Sequence, residues 1–172
     1  TKLVANAMLA QRISSINAVS ALCEELGADV KELSLGLGAD SRLGPRFLQA
    51  GVGFGGSCFE KDILNLSYMA QSLHLSQVAD YWMGVLDINK YQRQRFGKKV
   101  VRALNGSLRG KKIAVLGFTF KENTNDTRNS VAVHFIAELA AEMPAEISIF
   151  DPGCSVADIE DEVRQIGLSD FQ

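Results

Sequence analysis

Apolar residues return at helical spacing through the first part of this chain. The first such stretch spans residues 1–27. Its apolar positions are Val4, Met8, Ile13, Ile16, Val19, Leu22 and Leu26. This spacing predicts one long helix. Gly27 is the predicted end of the helix, because glycine readily adopts the left-handed conformation found there.

Three more helices follow in the same pattern. Asp29 marks the start of a short helix through Leu37, and residues 36–50 are predicted to be irregular. A third helix is predicted over residues 58–73, and its apolar face consists of Ile63, Leu66, Ala70 and Leu73. A fourth, longer helix is predicted over residues 76–104. Its inward positions are predicted to be Val78, Trp82, Val85, Asn89, Phe96, Val100 and Leu104.

A different pattern begins in the last third of the chain. Residues 113–118 form a short apolar run that suits a buried parallel strand, and a polar loop follows over residues 119–129. A helix over residues 130–143, a second strand over residues 146–150 and a helix capped by Ser155 come next. This β-α-β-α order opens a doubly wound sheet, in which ligands bind at the carboxyl ends of the strands.

The two patterns predict two domains. Residues 1–105 are expected to form an all-α helical domain, and residues 106–172 the first part of an α/β doubly wound (Rossmann-like) domain. Two strands cannot complete such a sheet, and the chain opens at Thr1 inside a helical pattern. We therefore expect the chain to be a fragment of a longer protein.

Composition narrows the class of protein. Hydrophobic residues make up 47% of the chain, enough for a packed core, and the net charge of −2 gives no electrostatic footprint for nucleic acid. No apolar run is long enough to suggest a membrane span. Cys23, Cys58 and Cys154 are far apart and odd in number. They favour reduced thiols in a cytoplasmic protein over disulfides or a metal site.

The candidate chemistry lies in residues 51–62, where a glycine-rich loop leads directly into Cys58. Ser57 and Glu60 fit a capping box, which places Cys58 in the first turn of a helix. The partial positive charge at a helix N-terminus favours a thiolate. Glycines lack Cβ, so a ligand can approach their backbone closely. These features predict an activated nucleophile beside a binding loop for an anionic substrate. The alternative is that Cys58 has a structural role, which is the more common role of a lone cysteine.

The same glycines also match a dinucleotide-binding fingerprint. Gly51, Gly53 and Gly56 have the spacing G-x-G-x-x-G. That fingerprint follows a hydrophobic strand, whereas residues 40–50 contain a proline and two arginines and lack a β-branched run. We therefore reject a nucleotide-binding βαβ unit at this loop.

Three segments resemble the UDP-glucose/GDP-mannose dehydrogenase family. They are residues 2–17 (KLVANAMLAQRISSIN), residues 53–62 (GFGGSCFEKD) and residues 116–128, which contain LGFTFK and DTR. The first of these, with residues 91–96 (YQRQRF), leans toward the UDP-glucose-oxidising members. The resemblance implies that the helical domain is the family's central domain and that the α/β part begins its UDP-binding domain. It implies further that the family's NAD-binding domain is not among these residues.

The resemblance implies a four-electron oxidation of a sugar C6 alcohol to a carboxylate, with NAD as the oxidant. Cys58 would add to the intermediate aldehyde and carry the acyl group as a thioester. Lys2 and Asn6 would stabilise the developing oxyanion, and Asp62 would activate or orient a water molecule. Lys2 and Asn6 are spaced to share one helix face, as are Cys58 and Asp62 on the third helix.

The resemblance also implies binding residues. Backbone amides of the loop 49–55 would meet the sugar and phosphates of a UDP-sugar. The implied substrate-binding residues are Arg42, Phe47, Gln49, Ala50, Gly51, Val52, Gly53, Phe54, Gly55, Phe120 and Lys121. Arg42 resembles an arginine that reaches the substrate of a neighbouring subunit, which implies a homo-oligomer through the helical domain. Cys58, Lys61 and Arg128 resemble positions that contact NAD.

Other functions stay open at this point. One is the same chemistry on another nucleotide sugar, either a UDP-N-acetylhexosamine or GDP-mannose. Another is a non-catalytic helical module for self-association. We expect the chain by itself to be unable to oxidise a sugar, because the family's glutamate base and the rest of its uridine pocket are not among these residues.

Overall fold

A computed structural model describes residues 1–168 of the chain. The elements in chain order are α1 (Lys2–Leu26), α2 (Val30–Ala39), α3 (Ser57–Ser72), α4 (Ser76–Ala103), β1 (Lys112–Leu116), α5 (Val131–Ala141), β2 (Glu146–Phe150) and α6 (Val156–Gln165). This order confirms the predicted fold class, a helical domain followed by an incomplete doubly wound α/β domain.

The described chain divides into two compact units. Unit 1 comprises Thr1–Phe54 and Cys58–Gln92, and unit 2 comprises Gly55–Ser57 and the residues from Arg93 onward. The change from one unit to the other therefore falls inside α4. The predicted division into domains at residues 1–105 and 106–172 stays a prediction.

The ends of the first two helices follow their predicted signals. Gly27 ends α1 with φ +69°, in the left-handed region. The Asp29 side chain caps α2 by accepting a hydrogen bond from the Lys31 N–H at 2.7 Å. The prediction of irregular backbone from residue 36 is wrong for residues 36–39, which continue α2. A reason for glycine inside this helix is space, because a Cβ at Gly38 would lie only 3.0 Å from the Pro45 Cα.

Small residues form the buried face of α1. The buried residues of this helix are Ala7, Ala10, Ser14, Ile16, Asn17, Ser20 and Cys23. Larger apolar residues of the same helix are exposed, namely Val4, Met8, Leu22 and Leu26. Small side chains allow neighbouring elements to approach closely, and Ala7 and Ala10 share a core with Phe54, Ile63 and Val85. The sequence spacing therefore located the helix but not its buried face.

The predicted inward face of α4 is right in its middle and wrong at two other positions. Val85 and Asn89 are buried, as predicted, whereas Val78 and Phe96 are exposed. On α3, Ile63 and Ala70 are buried as predicted, but Leu73, predicted on the same face, lies just beyond the end of the helix and is exposed. An apolar stripe shows which side of a helix is hydrophobic, and the length of the neighbouring element decides how much of the stripe is covered.

The α/β part contains a parallel strand pair, as predicted. β1 and β2 pair in register, with Ile113 opposite Ile147 and Val115 opposite Ile149. Val115, Ile147 and Ile149 pack on a core that contains Phe118, Val133, Ile136 and Val163. The other face of the pair is open in the described chain, where Leu116 is 79% and Phe150 64% exposed. The expectation of a buried strand therefore holds for one face of β1.

Helix α5 begins directly after Ser130, its predicted first residue, and α6 begins directly after its predicted cap Ser155. The Ser130 side chain accepts a hydrogen bond from the Ala132 N–H at the start of α5. Ser155 and Asp158 form a reciprocal capping box at the start of α6. Such caps satisfy backbone N–H groups that have no partner within the helix.

Candidate functional site

Cys58 lies exposed in the first turn of α3. The helix begins at Ser57, one residue earlier than the capping-box pattern predicts, directly after Gly56 with φ +83°. The chain's other two thiols differ in exposure, because Cys23 is buried and Cys154 is half-buried. Cys58 is therefore the thiol most accessible to a reagent or substrate.

A hydrogen bond joins the two helices that carry the candidate catalytic residues. The Asn6 Nδ2 of α1 donates to the Asp62 Oδ2 of α3 at 2.7 Å. Asp62 follows Cys58 by about one helical turn, and Asn6 follows exposed Lys2 by the same interval. An asparagine amide carries two N–H groups, so Asn6 retains a second donor when it binds Asp62. The structure thus brings Asn6 and Asp62 together, and the chemical roles of the four residues stay predictions.

The glycine-rich loop that precedes Cys58 is irregular backbone, and its residues up to Phe54 belong to unit 1. Residues 40–50 contain turns and bends and no strand, which agrees with the rejection of a βαβ unit here. The side chains of Leu48 and Phe54 are buried, whereas Val52 is exposed. Gly51 and Phe54 make hydrogen bonds to side chains of α1 and α4. The core thus holds both ends of a short exposed segment.

The residues that lead into α3 pack on the loop that follows β1, within unit 2. The Gly56 N–H donates to the Asn129 carbonyl at 2.9 Å, and the Asn129 Nδ2 donates back to the Gly56 carbonyl at 3.3 Å. A Cβ at Gly56 would lie 2.9 Å from the Phe120 ring. The Lys121 Nζ lies 5.2 Å from the centre of that ring. The structure therefore brings Phe120, a predicted substrate residue of the loop after β1, beside Gly56 of the loop before α3.

Asp151 fixes the start of that loop. Its carboxylate accepts hydrogen bonds from the Phe118 N–H at 2.6 Å, the Thr119 N–H at 2.9 Å and the Gly153 N–H at 2.7 Å. These backbone donors lower the pKa of Asp151 to about 2, because they favour the charged form. The residue after β2 thus ties down the residues after β1.

A cavity lies at the carboxyl ends of the two strands. Its volume is about 790 Å³, and its lining is polar and acidic. The lining residues are Thr119, Glu122, Asn123, Thr124, Asn125, Asp151, Pro152 and Gly153. This is the end of a parallel sheet at which ligands bind in doubly wound folds.

Two of the predicted binding arginines pair with neighbouring aspartates. Arg42 donates to Asp40 at 2.6 Å, and Arg128 donates to Asp126 at 2.8 Å. Both guanidinium groups are largely exposed. Hydrogen bonds from Arg128 lower the pKa of Asp126 to about 2, and those from Arg42 lower the pKa of Asp40. To bind a phosphate of the substrate or of NAD, each guanidinium group would have to leave its aspartate or contact the aspartate and the phosphate together.

The remaining predicted binding residues lie at the surface of unit 1. Phe47 is exposed and has φ +62°, a left-handed conformation that is uncommon for a bulky residue. Gln49 and Lys61 are exposed, and Ala50 is half-buried. The structure places Phe47, Gln49 and Ala50 in the segment that approaches the glycine loop, and Lys61 on α3.

Sequence reasoning missed the side chains that hold the glycine loop. Asn17, Asn89 and Gln92 are buried polar residues on α1 and α4. The signal was present for Asn89, which falls among the apolar inward positions of its helix. A polar residue in such a stripe requires a hydrogen-bond partner, and the pattern alone does not identify that partner.

Two further findings concern residues 1–168, which the structure describes. No helix there is long and apolar enough to cross a membrane. No cluster of three or more histidine, cysteine, aspartate or glutamate side chains there could hold a metal ion.

Known proteins match the chain along most of its length. The central-domain model of the UDP-glucose/GDP-mannose dehydrogenase family matches residues 1–91, and the family's UDP-binding-domain model matches residues 114–171. The UDP-glucose 6-dehydrogenase of Caenorhabditis elegans is 56% identical over 152 residues, which are 88% of this chain and 31% of that protein. The Drosophila melanogaster UDP-glucose 6-dehydrogenase is 51% identical over 170 residues, 99% of this chain and 36% of that protein.

A solved structure is similar over the same region. The UDP-glucose dehydrogenase of the hyperthermophilic archaeon Pyrobaculum islandicum matches with a TM-score of 0.84 and 34% identity. The match covers 97% of this chain and 37% of that one. The chain therefore spans about a third of the length of these relatives.

Proposed function

The chain belongs to the UDP-glucose/GDP-mannose dehydrogenase family, and from this we propose that it supplies catalytic and substrate-binding residues of a NAD-dependent UDP-glucose 6-dehydrogenase. The observation that carries the proposal is exposed Cys58 in the first turn of α3, with the Asn6–Asp62 hydrogen bond about one turn further along the helix. Identity of about half to the curated UDP-glucose 6-dehydrogenases supports UDP-glucose as the substrate.

Cys58 is the proposed nucleophile. Oxidation of the sugar C6 alcohol gives an aldehyde, and addition of the Cys58 thiolate to the aldehyde carbon gives a thiohemiacetal. Oxidation of the thiohemiacetal gives a thioester, and attack by water releases the carboxylate and the free thiol. The covalent bond keeps the reactive aldehyde in the site.

Asn6, Lys2 and Asp62 are the proposed supporting groups. Lys2 and the second N–H of Asn6 stabilise the oxyanion that forms at O6 when sulfur or water adds. Loss of one such donor typically raises the barrier by about 3–4 kcal/mol. Asp62, held by Asn6 at 2.7 Å, orients the water that attacks the thioester.

The chemistry that NAD would supply when bound is acceptance of a hydride, with one NAD+ needed for the alcohol and a second for the thiohemiacetal. The exposed cations Lys61 and Arg128 suit contacts to its phosphates, and Cys58 is the third proposed contact. The glycine loop is not a dinucleotide-binding fold, because no strand leads into it from residues 40–50. We therefore propose that these residues contact NAD but do not form its binding domain.

The proposed substrate residues form two groups. The loop 49–55, with Phe47 and Arg42, offers backbone amides and one cation to the sugar and phosphates. Phe120 and Lys121, beside Gly56, offer a ring and a second cation in unit 2.

Self-association is the proposed quaternary state. Unit 1 exposes large apolar residues on α1 and around the turn between α3 and α4, including Leu22, Leu26, Tyr68, Leu73 and Leu75. Exposed apolar surface, where it is extensive, is typical of protein–protein contacts. A homo-oligomer in the cytoplasm, built through the helical domain, is the proposed form of the protein.

The experiment that tests this function counts the NADH formed per UDP-glucose consumed by the complete protein that carries this chain. Two per sugar are expected. Cys58→Ala should lower turnover by roughly a thousandfold or more, since the covalent step is lost. The matched variant Cys154→Ala should keep turnover within about twofold, because this thiol lies at the α/β core and outside the proposed site.

The other outcomes identify the alternatives. One NADH per sugar would mean a plain alcohol dehydrogenase with a structural cysteine. Turnover with a UDP-N-acetylhexosamine or GDP-mannose alone would change the sugar. No turnover with any nucleotide sugar would favour a non-catalytic module. Sustained NADH production by the 172-residue chain alone would contradict its proposed dependence on further residues.

A further inference from the structure

We propose that three buried amide side chains, Asn17, Asn89 and Gln92, position the segment Gly51–Phe54 for the nucleotide sugar. We call these three side chains the amide clamp. The inference rests on the proposed function, because that function gives the glycine loop its ligand. All of these residues lie in unit 1.

The clamp holds both backbone groups of Gly51. The Gly51 N–H donates to the Asn17 Oδ1 at 2.9 Å. The Gly51 carbonyl accepts from the Gln92 Nε2 at 2.7 Å. One residue is therefore fixed from α1 and α4 at the same time.

The clamp also holds both backbone groups of Phe54. The Asn89 Oδ1 accepts from the Phe54 N–H at 2.8 Å, and the Asn89 Nδ2 donates to the Phe54 carbonyl at 2.9 Å. A single side chain thus replaces the paired hydrogen bonds that a neighbouring strand would supply. Only Val52 and Gly53 lie between the two fixed residues, so the path of the loop is set at both ends.

The loop sequence fits the clamp at Gly53. This residue has φ +117°, and a Cβ built on it would lie 2.6 Å from the Asn89 Oδ1. Any other side chain would displace Asn89 from its bonds to Phe54. Gly53 and Asn89 therefore act as a matched pair.

The burial of the clamp indicates that its polarity serves the loop. Asn17, Asn89 and Gln92 are 0%, 4% and 7% exposed. Amides are unfavourable in a protein core unless they are hydrogen-bonded. The Nδ2 of Asn17 is buried without a partner among the described residues, so its Oδ1 bond to Gly51 is the contact that accounts for an amide at this position.

Steady-state kinetics of the complete protein provide the first test. Gln92→Met keeps the length of the side chain but removes the donor to Gly51. The KM for UDP-glucose should rise about tenfold, which is about 1.4 kcal/mol and the size of one lost hydrogen bond. The kcat should change less than about threefold, because the loop binds parts of the substrate that do not react.

The matched control is Gln11→Met. Gln11 lies on α1 and donates to the Ser15 Oγ at 3.1 Å at the surface. The same substitution there removes an amide without touching the loop, so both constants should stay within about twofold. Equal KM values for the two variants would overturn the inference.

Hydrogen exchange of the substrate-free protein provides a second test. Asn17→Leu removes the acceptor for the Gly51 N–H, whereas Asn17→Asp keeps an oxygen there. Exchange at Gly51 should be faster in the first variant and close to wild type in the second, with the KM following the same order. Unchanged exchange in Asn17→Leu would overturn the clamp.

The design separates this inference from the proposed function. If the wild-type protein neither binds nor oxidises UDP-glucose, the proposed function fails and the loop loses its assigned ligand, before any variant is compared. The exchange measurement then still decides whether the amides fix the loop. If Asn17→Leu does not fold, the comparison of Gln92→Met with Gln11→Met decides the inference.

Discussion

Single residues in this protein have conformations or charges that their neighbours require. Gly53 leaves space for an amide oxygen, and Asp151 gathers three backbone N–H groups. Both residues fix loops that carry proposed substrate contacts. At this scale, the effects of substitution can be predicted from local geometry.

Replacement of Gly53 by alanine should destabilise unit 1. The new Cβ would meet the Asn89 Oδ1 at 2.6 Å in a left-handed backbone conformation. We expect a loss of about 1–3 kcal/mol in the free energy of unfolding, measured by urea denaturation. Gly51→Ala is the control, since a Cβ there would meet nothing within 4 Å. Equal losses for both variants would contradict this account.

Acid should weaken the loop that Asp151 holds. The pKa of Asp151 is lowered from 3.8 to about 2 in the folded protein, so its contribution to stability is present above about pH 4. That contribution is lost as the pH falls toward 2. Asp126 has a folded pKa of about 2 as well and acts in the same direction. Urea denaturation at pH 5 and pH 3 should therefore show lower stability at pH 3.

Substitution of Asp151 separates its share of that acid effect. Asp151→Ala should lower the free energy of unfolding by about 1–2 kcal/mol at pH 7 and make the loss between pH 5 and pH 3 smaller. Asp161→Ala is the control, because Asp161 is mostly exposed and, within residues 1–168, pairs with Arg164 at the long distance of 3.4 Å. An unchanged pH dependence in Asp151→Ala would mean that other carboxylates carry the effect.

The elements were predictable from sequence to within a few residues at most of their ends. Helical spacing located α1, α3 and α4, and the predicted caps Asp29 and Ser155 marked two starts. Helix α5 begins directly after Ser130, its predicted first residue. What covers each element was not predictable. Ala7 and Ala10 are buried, whereas Leu26 is 81% exposed. Where helices approach closely, the size of a side chain decides its burial more than its hydrophobicity does. The hydrogen-bond partners of Asn17 and Asn89 depend on the tertiary fold in the same way.

Enlargement of the buried face of α1 should therefore cost more than truncation of its exposed face. Ala10 is fully buried against the core of unit 1, so Ala10→Leu should lower the free energy of unfolding by about 1–3 kcal/mol or more. Met8→Ala on the exposed face of the same helix should change it by about 0.5 kcal/mol or less. Thermal denaturation of both variants gives the comparison. The reverse order would show that the apolar stripe is the buried one.

The whole molecule combines a helical unit with the opening of a doubly wound fold. The sequence predicted this combination, and the location of the chemistry at the glycine loop with Cys58 stays a prediction. The hydrogen bond from Asn6 to Asp62, at 2.7 Å, comes from the structure, because the sequence predicted only that each of the two residues shares a helix face with another candidate catalytic residue. Large apolar residues remain at the surface of unit 1, which is a property of the molecule and not of any single helix.

Self-association should depend on this apolar surface. We expect the complete protein to sediment as a dimer or larger species in analytical ultracentrifugation. The double substitution Leu22→Lys with Leu26→Lys should shift it toward the monomer, since buried lysine charges oppose association. Val156→Lys, which changes an exposed apolar residue at the start of α6 in unit 2, is the comparison. No shift in the double variant would place the contact on another surface.

The amide clamp sets a rule for transplanting this loop into another scaffold. A graft of residues 51–54 alone would leave the backbone groups of Gly51 and Phe54 without these hydrogen bonds. The grafted loop would then adopt many conformations in solution. The portable module is the loop together with Asn17, Asn89 and Gln92 at their helical positions. A designer would first choose two helices able to present those amides and only then insert the glycines.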